Sequence, residues 1–243
     1  MEQQRKGRNK ETIVNSAYIN SGEYKRKFDN IADNAELSRL LYKLAKNMLI
    51  HRSGTEFEDM YWIDLDEIRV IAEETNSLVK KRIIYSNKII KKIQSCKNII
   101  TIHSHPDSFP PSIADFNSNY DHNYVVGIVA CHNGKLYMYS ANERINEDYY
   151  KLVVEGFFKI GYNEEEAQIK ALENLQINFD IKFKEVTDYD CIWKWRINNT
   201  KKYKKMSVSE LEREKARLLK EIKASVSQKK QVRTNKKNIN FNF

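Results

Sequence analysis

The sequence predicts an α/β protein: a mixed β-sheet flanked by helices, with a helical and strand extension and a basic tail at the C-terminal end. Apolar residues recur at helical spacing in segments separated by short β-branched runs, the pattern of helices covering a sheet. The apolar fraction, 41% of 243 residues, supports a sizeable core. An Asn133-Gly134 pair joins two apolar runs, so at least one strand pair is antiparallel.

Residues 1–34 are polar and charged with little periodicity, and read as an arm that is mobile or loosely packed. From Ala35 to Ile50, Leu37, Leu40, Leu41, Leu44 and Met48 keep helical spacing, and Asp33 or Asn34 can cap the start. Met60 to Ile63 and Glu67 to Ala72 read as short strands. Ser86 opens a second helix bearing Ile89, Ile90 and Ile93, and Asn98 to Ile102 is a buried strand running into a loop. That loop, His103 to Pro111, holds all three prolines, and a short helix follows from Ile113 to Tyr120. Tyr124 to Ala130 and Leu136 to Ser140 form the predicted hairpin. Asn146 to Ile160 and Glu164 to Leu175 look helical, with Gly161 as the break between them. Ile177, Phe179, Ile181 and Phe183 alternate with polar residues, a half-buried strand pattern. Ser207 and Glu210 form a capping box before a last amphipathic helix. The resulting segments are an arm (1–34), a core (35–142), an extension (143–199) and a basic end (200–243).

Lys plus Arg number 42 against 33 Asp plus Glu, giving +9. Residues 200–243 contain 14 basic and 4 acidic residues, a net of +10, so the remainder sums to −1. This end is expected to contact nucleic acid or an acidic protein, with strongly salt-dependent binding. Three cysteines without a C-x-x-C pair favour a reducing compartment and offer no thiolate zinc site. No apolar run approaches the roughly 20 residues that span a bilayer, and Met1 to Lys10 lacks a signal peptide's apolar stretch, so a cytoplasmic protein is expected.

The chemistry concentrates in Ile102-His-Ser-His-Pro-Asp-Ser-Phe-Pro-Pro-Ser-Ile-Ala-Asp115. Residues i and i+2 of an extended chain share a face, so His103 and His105 can present two imidazoles to one metal ion. Asp115, ten positions later and beyond a stiff loop, can return as third ligand from the first turn of a helix. Two imidazoles and one carboxylate leave a fourth position to water, as in catalytic zinc sites. Water bound there becomes a nucleophile near neutral pH, and the ion polarises a carbonyl.

His103-Ser-His105-Pro106 followed by Ser112-Ile-Ala-Asp115 resembles the signature of the JAB/MPN metalloproteases, also called JAMM proteases. Most members have ten residues between the second His and the Asp; this chain has nine, the deletion falling in Asp107 to Pro111. The resemblance spans roughly Glu36 to Asn142. It implies a JAB/MPN-like (cytidine-deaminase-like) sheet, Zn2+ on His103, His105 and Asp115, and Ser112 as an oxyanion stabiliser. It also implies hydrolysis of a peptide or isopeptide bond in a protein or peptide substrate, with a glutamate general base entering the strand after the first long helix. Glu56 and Glu58 both qualify, and Glu56 is preferred because it leaves a full strand, 58–64, after it. The family's strand is often glycine-rich, whereas no glycine lies between Thr55 and Asp66.

Simpler roles stand beside these. Ser112 and Asp115 also read as a helix-capping pair. Cys131 reads as a buried small hydrophobe, His122 and His132 as solvent-exposed, and Trp62, Trp193 and Trp195 as packing aromatics. The alternative function is a JAB-like scaffold or nucleic-acid-associated module with little or no peptidase activity.

Overall fold

The computed structural model describes residues 10–187, 213, 217 and 239–243. The chain divides into two units, Met1–Val186 with Phe241–Phe243, and Thr187–Asn240. Cys191, Trp193 and Trp195 lie outside the described residues, as does most of the helix expected from Ser207, of which Arg213 and Arg217 are described and are helical and exposed.

The first unit is α/β. Its strands are β1 (Met60–Asp64), β2 (Arg69–Glu74), β3 (Ile99–His105), β4 (Val126–Cys131), β5 (Leu136–Ala141) and β6 (Ile181–Glu185). They form one mixed sheet in the order β2-β1-β3-β4-β5-β6, in which β3 and β4 are parallel and every other neighbouring pair is antiparallel. The helices are α1 (Ser16–Ile19), α2 (Gly22–Asp29), α3 (Ala35–Arg52), α4 (Asn87–Gln94), α5 (Ile113–Asp121), α6 (Glu147–Lys159) and α7 (Glu164–Asn178). Asn34 caps α3 by accepting from the Glu36 and Leu37 amides, and Ser86 caps α4 by accepting from Ile89.

Strand alternation sorts the core. Met60, Trp62 and Ile99 pack with Ile89 and Ile93 of α4, while Val129, Cys131, Tyr137 and Tyr139 pack with Phe116 of α5 and Leu172 and Leu175 of α7. Ile100, Ile102, Ile128 and Ala130, of the other parity, are equally buried, and α3 lies against β3 and β4. Trp62 is fully buried as expected, its indole donating to the Tyr124 hydroxyl at 2.9 Å. Gly127 serves a close approach. Tyr139 pairs with it across β4 and β5, and a Cβ there would sit 2.1 Å from the tyrosine ring.

Residues 10–34 are not a loose arm. Val14, Ile19, Tyr24, Phe28 and Ile31 are buried, and Tyr24 packs edge-on against Phe28 and near Tyr42 of α3. Lys27 donates to the Gly134 carbonyl at 2.8 Å, and the Tyr18 ring covers Gly134, which lies at φ +85°. α1 and α2 span four and eight residues, too short for a periodic apolar stripe. The C-terminal end differs too: Phe241 bridges to Ala32, and the Asn242 amide donates to the Ile31 carbonyl at 3.0 Å. The extension continues the core, since β6 pairs with β5. Ile177 belongs to α7, so the strand begins only at Ile181.

A buried ion pair ties α3 to the edge of β1. Arg52, with no exposed surface, donates through Nε to Asp59, and its Nη2 reaches the Thr75 carbonyl at 2.7 Å. His51 Nδ1 lies 2.7 Å from the other Asp59 oxygen. Truncating one partner strands the other charge out of water, at a cost of about 3–5 kcal/mol. Arg52→Met is therefore expected to lower the free energy of urea unfolding by about that amount. A loss below about 1 kcal/mol would mean that water reaches Asp59 and the pair is not a structural linchpin.

Candidate metal centre

All seven residues of β3 are buried, and the strand runs on through both histidines instead of ending before them. Period-two alternation puts Thr101, His103 and His105 on one face. Register with β1 supplies the next group. Met60 pairs with His103. One step beyond, the Asp59 amide donates to Ser104 Oγ and the Ser104 amide to the Asp59 carbonyl, both at 3.0 Å. Glu58 is thereby laid beside His105, on the histidine face.

The loop after β3 is braced throughout. Asp107 pairs with Lys81 at 3.1 Å, Ser108 Oγ accepts from the Asn133 amide at 3.1 Å, and the Phe109 carbonyl accepts from His105 Nδ1 at 3.0 Å. Ser108 sits at φ +66°, where the chain reverses. The loop delivers Ser112 to the N-cap of α5, and a full capping box forms. Ser112 Oγ accepts from the Asp115 amide at 3.2 Å, while Asp115 Oδ2 accepts from the Ser112 amide and hydroxyl, each at 2.7 Å. The loop and helix start bring Asp115 back over the histidines.

His103, His105 and Asp115 form a group that can hold a metal ion. His103 Nε2 and His105 Nε2 are 3.0 Å apart, Asp115 Oδ1 is 3.3 Å from His103 Nε2, and Oδ2 is 3.5 Å from His105 Nε2. Tetrahedral ligands at about 2.0–2.1 Å from an ion stand about 3.3–3.4 Å from each other, so the two imidazoles and the carboxylate lie near the spacing that a shared ion requires, with a different carboxylate oxygen nearest each ring. The hydrogen bond from His105 Nδ1 to Phe109 orients that ring and leaves Nε2 facing the ligand point. The ligands are partly or fully enclosed: His103 and His105 are buried, and the Asp115 side chain is 21% exposed.

Charge follows the geometry. Burial opposes a charge on His105, but the hydrogen bond to Asp115 and the field of Glu58 raise its imidazolium to about 9. Burial likewise opposes ionisation of Asp115, and the two imidazoles hold its carboxyl well below the usual range. Burial pushes Glu58 up, against the pull of His105 and His103. A cation entering this cluster displaces a proton held among the same groups.

Glu56 and Glu58 part here. Glu58 is 7% exposed and lines the cavity of about 380 Å³ that contains the three ligands. Glu56, preferred from the sequence, ion-pairs with Lys80 at 2.5 Å and is not part of that lining. The reason is register: the paired strand begins at Met60, and Glu58 is the acidic residue that falls opposite His105. Ser112 stands on the cavity wall with its hydroxyl proton directed at Asp115. His122 is exposed, stacked on Tyr85 and Tyr124. His132, expected in solvent, is 2% exposed and donates from Nδ1 to the Thr12 carbonyl at 2.7 Å. Cys131 is buried as expected, and burial pushes its thiol well up. The motif did not disclose the cavity-lining Lys81, Arg82, Tyr85 and Tyr139, which come from segments distant in sequence.

Among the described residues no helix is long and apolar enough to cross a membrane. Comparison of the chain with models of known families, with curated proteins and with solved structures returns no match.

Ser112 holds the third ligand without itself belonging to the ligand set. Ser112→Ala is expected to weaken divalent-metal binding about 10–100-fold, measured by competition with a chelating dye. His103→Ala should abolish binding in the same assay. Unchanged affinity in Ser112→Ala would show that the capping box does not position Asp115 for metal.

Proposed function

We propose that this chain is a zinc metallopeptidase that hydrolyses a peptide or isopeptide bond, the activity its JAB/MPN-like motif implies. The observation that carries the reading is the convergence of two Nε2 atoms and one carboxylate close enough to share an ion, with a buried glutamate beside them in an open cavity. His103, His105 and Asp115 would hold the ion, and a cysteine-free, oxygen- and nitrogen-donor set suits zinc. Zinc held there supplies a Lewis acid for the scissile carbonyl and acidifies a water molecule.

Glu58 is the general base in this proposal, in place of Glu56. Its burial raises its proton affinity, so it can take a proton from the attacking water and return it to the leaving amine. Ser112, on the same wall, can donate to a developing oxyanion once its hydroxyl turns from Asp115. Phe109 keeps His105 in one tautomer through its carbonyl.

A second reading, a scaffold or nucleic-acid-associated module, rests on the +10 charge of residues 200–243, most of which lie outside the described residues. It predicts nucleic-acid retention that falls steeply with salt and does not depend on His103.

The decisive experiment combines metal analysis of purified protein with an unbiased peptide-cleavage screen, run with and without chelator. About one zinc per chain and chelator-sensitive cleavage are expected. Glu58→Gln should retain zinc and lose turnover by about 10²–10⁴-fold, while Glu56→Gln stays active. A dead Glu56→Gln beside an active Glu58→Gln would return the base to Glu56.

A further inference from the structure

We infer that Arg82 is a specificity determinant, taking a carboxylate of the substrate at the wall of the metal cavity; the inference rests on the peptidase reading above. Lys80, Lys81 and Arg82 are three consecutive cations in the connection between β2 and α4. Two of them are matched. Lys80 pairs with Glu56 at 2.5 Å, and Lys81 pairs with Asp107 at 3.1 Å. Arg82 lines the cavity, is exposed, and has no hydrogen bond or ion pair among the described residues.

The backbone carrying that guanidinium is anchored on both sides. Before it, Phe57 bridges to Lys80, the Lys81 amide donates to the Glu56 carbonyl at 3.0 Å, and Lys81 adopts φ +51°, a conformation disfavoured for a side chain with a Cβ. After it, Ile83 packs on the Met60 and Trp62 cluster, and the Tyr85 ring meets Trp62 edge-on at 5.0 Å. The left-handed turn at Lys81 thus lies between a charged latch and an apolar anchor, and Arg82 is held at the cavity between them.

Two carboxylates of the cavity are engaged by neighbours and the third is buried behind them. Asp107 pairs with Lys81, Asp115 lies 3.3 Å from His103 Nε2 and is capped on Ser112, and Glu58 is buried. Arg82 is therefore a cation of the cavity wall without an anionic partner among the described residues. A planar guanidinium suits a carboxylate in bidentate geometry. In a peptide, that group is either an acidic side chain or the chain's own C-terminus.

The test measures dissociation constants for three peptides of one backbone on the full-length, zinc-loaded Glu58→Gln protein. One carries Glu with an amidated C-terminus, one Gln with a free C-terminal carboxylate, and one Gln with an amide. One of the two anionic peptides should bind at least about fivefold more tightly than the neutral one, and its identity names the source of the carboxylate. Adding Arg82→Gln should bring that ratio to about one, Arg82→Lys should keep part of it, and Arg82→Glu should reverse it, so that the neutral peptide binds more tightly than the anionic one. Equal binding of all three peptides, or a preference untouched by Arg82→Gln, overturns the inference. Metal-dependent cleavage by the wild-type chain that survives such a result leaves the peptidase reading standing; absence of cleavage in the unbiased screen removes both.

Discussion

The arrangement of the His103, His105 and Asp115 cluster depends on a carboxylate that does not face it. Asp59 lies on the opposite face of the sheet from the histidines, out of water, against the Arg52 guanidinium at the end of α3. A desolvated charge cannot slide along its strand without losing its partner. Its main chain meanwhile exchanges two hydrogen bonds with Ser104, the residue between the two histidines. One ion pair therefore fixes which residue of the β1 entry lies beside β3. A slip of one position would turn Glu58 to the α3 face and bring a different side chain beside His105.

Much of this protein was legible in sequence because local chemistry and tertiary structure agree. Asn34, Ser86 and Asn146 cap the helices that their positions suggest, and Asn133-Gly134 closes the β4-β5 turn. The His103-Ser-His105 spacing carries its own geometry, since alternation in a strand is a backbone property. The unread parts depend on contacts between distant segments. α1 and α2 bury their apolar residues against α3 and the β4-β5 turn, which no window of four or eight residues reveals. Glu56 and Glu58 are separated only by the pairing of β1 with β3, and that pairing is set by Arg52 and Ser104, 7 and 45 positions from Asp59. His132 differs for the same reason: a hairpin position implies solvent, whereas the Thr12 carbonyl that accepts from its Nδ1 lies 120 positions away in sequence.

Asp115 joins the capping of α5 to the ligand cluster, and the two oxygens of one carboxylate divide the work. Oδ2 accepts two hydrogen bonds from Ser112 at 2.7 Å, while Oδ1 is the atom 3.3 Å from His103 Nε2. The helix start is thus a clamp on the ligand, and the structural and chemical readings of Ser112 and Asp115 describe one interaction. Oδ2 also lies 3.5 Å from His105 Nε2, so the carboxylate bridges both imidazoles. Side chains held this firmly lose little further freedom on binding an ion.

The place of the centre follows from the single break in the sheet's antiparallel pattern. An antiparallel neighbour can follow through a short turn, as β5 follows β4, but a parallel neighbour requires a crossover above the sheet. Between β3 and β4 that crossover is the proline loop and α5, and it must leave from the C-terminal end of β3. A helix start, with its unpaired amides and its capping carboxylate, is therefore carried over the last residues of β3, where His103 and His105 project. Ligands in open α/β sheets gather at the carboxyl ends of strands for this geometric reason. The remaining walls, Glu58 from the β1 side and Tyr139 from the β5 side, are contributed by antiparallel neighbours that cross the same point in the opposite direction. A sheet made only of tight hairpins would have placed no helix start above the two histidines, and Asp115 would have had no route back to them.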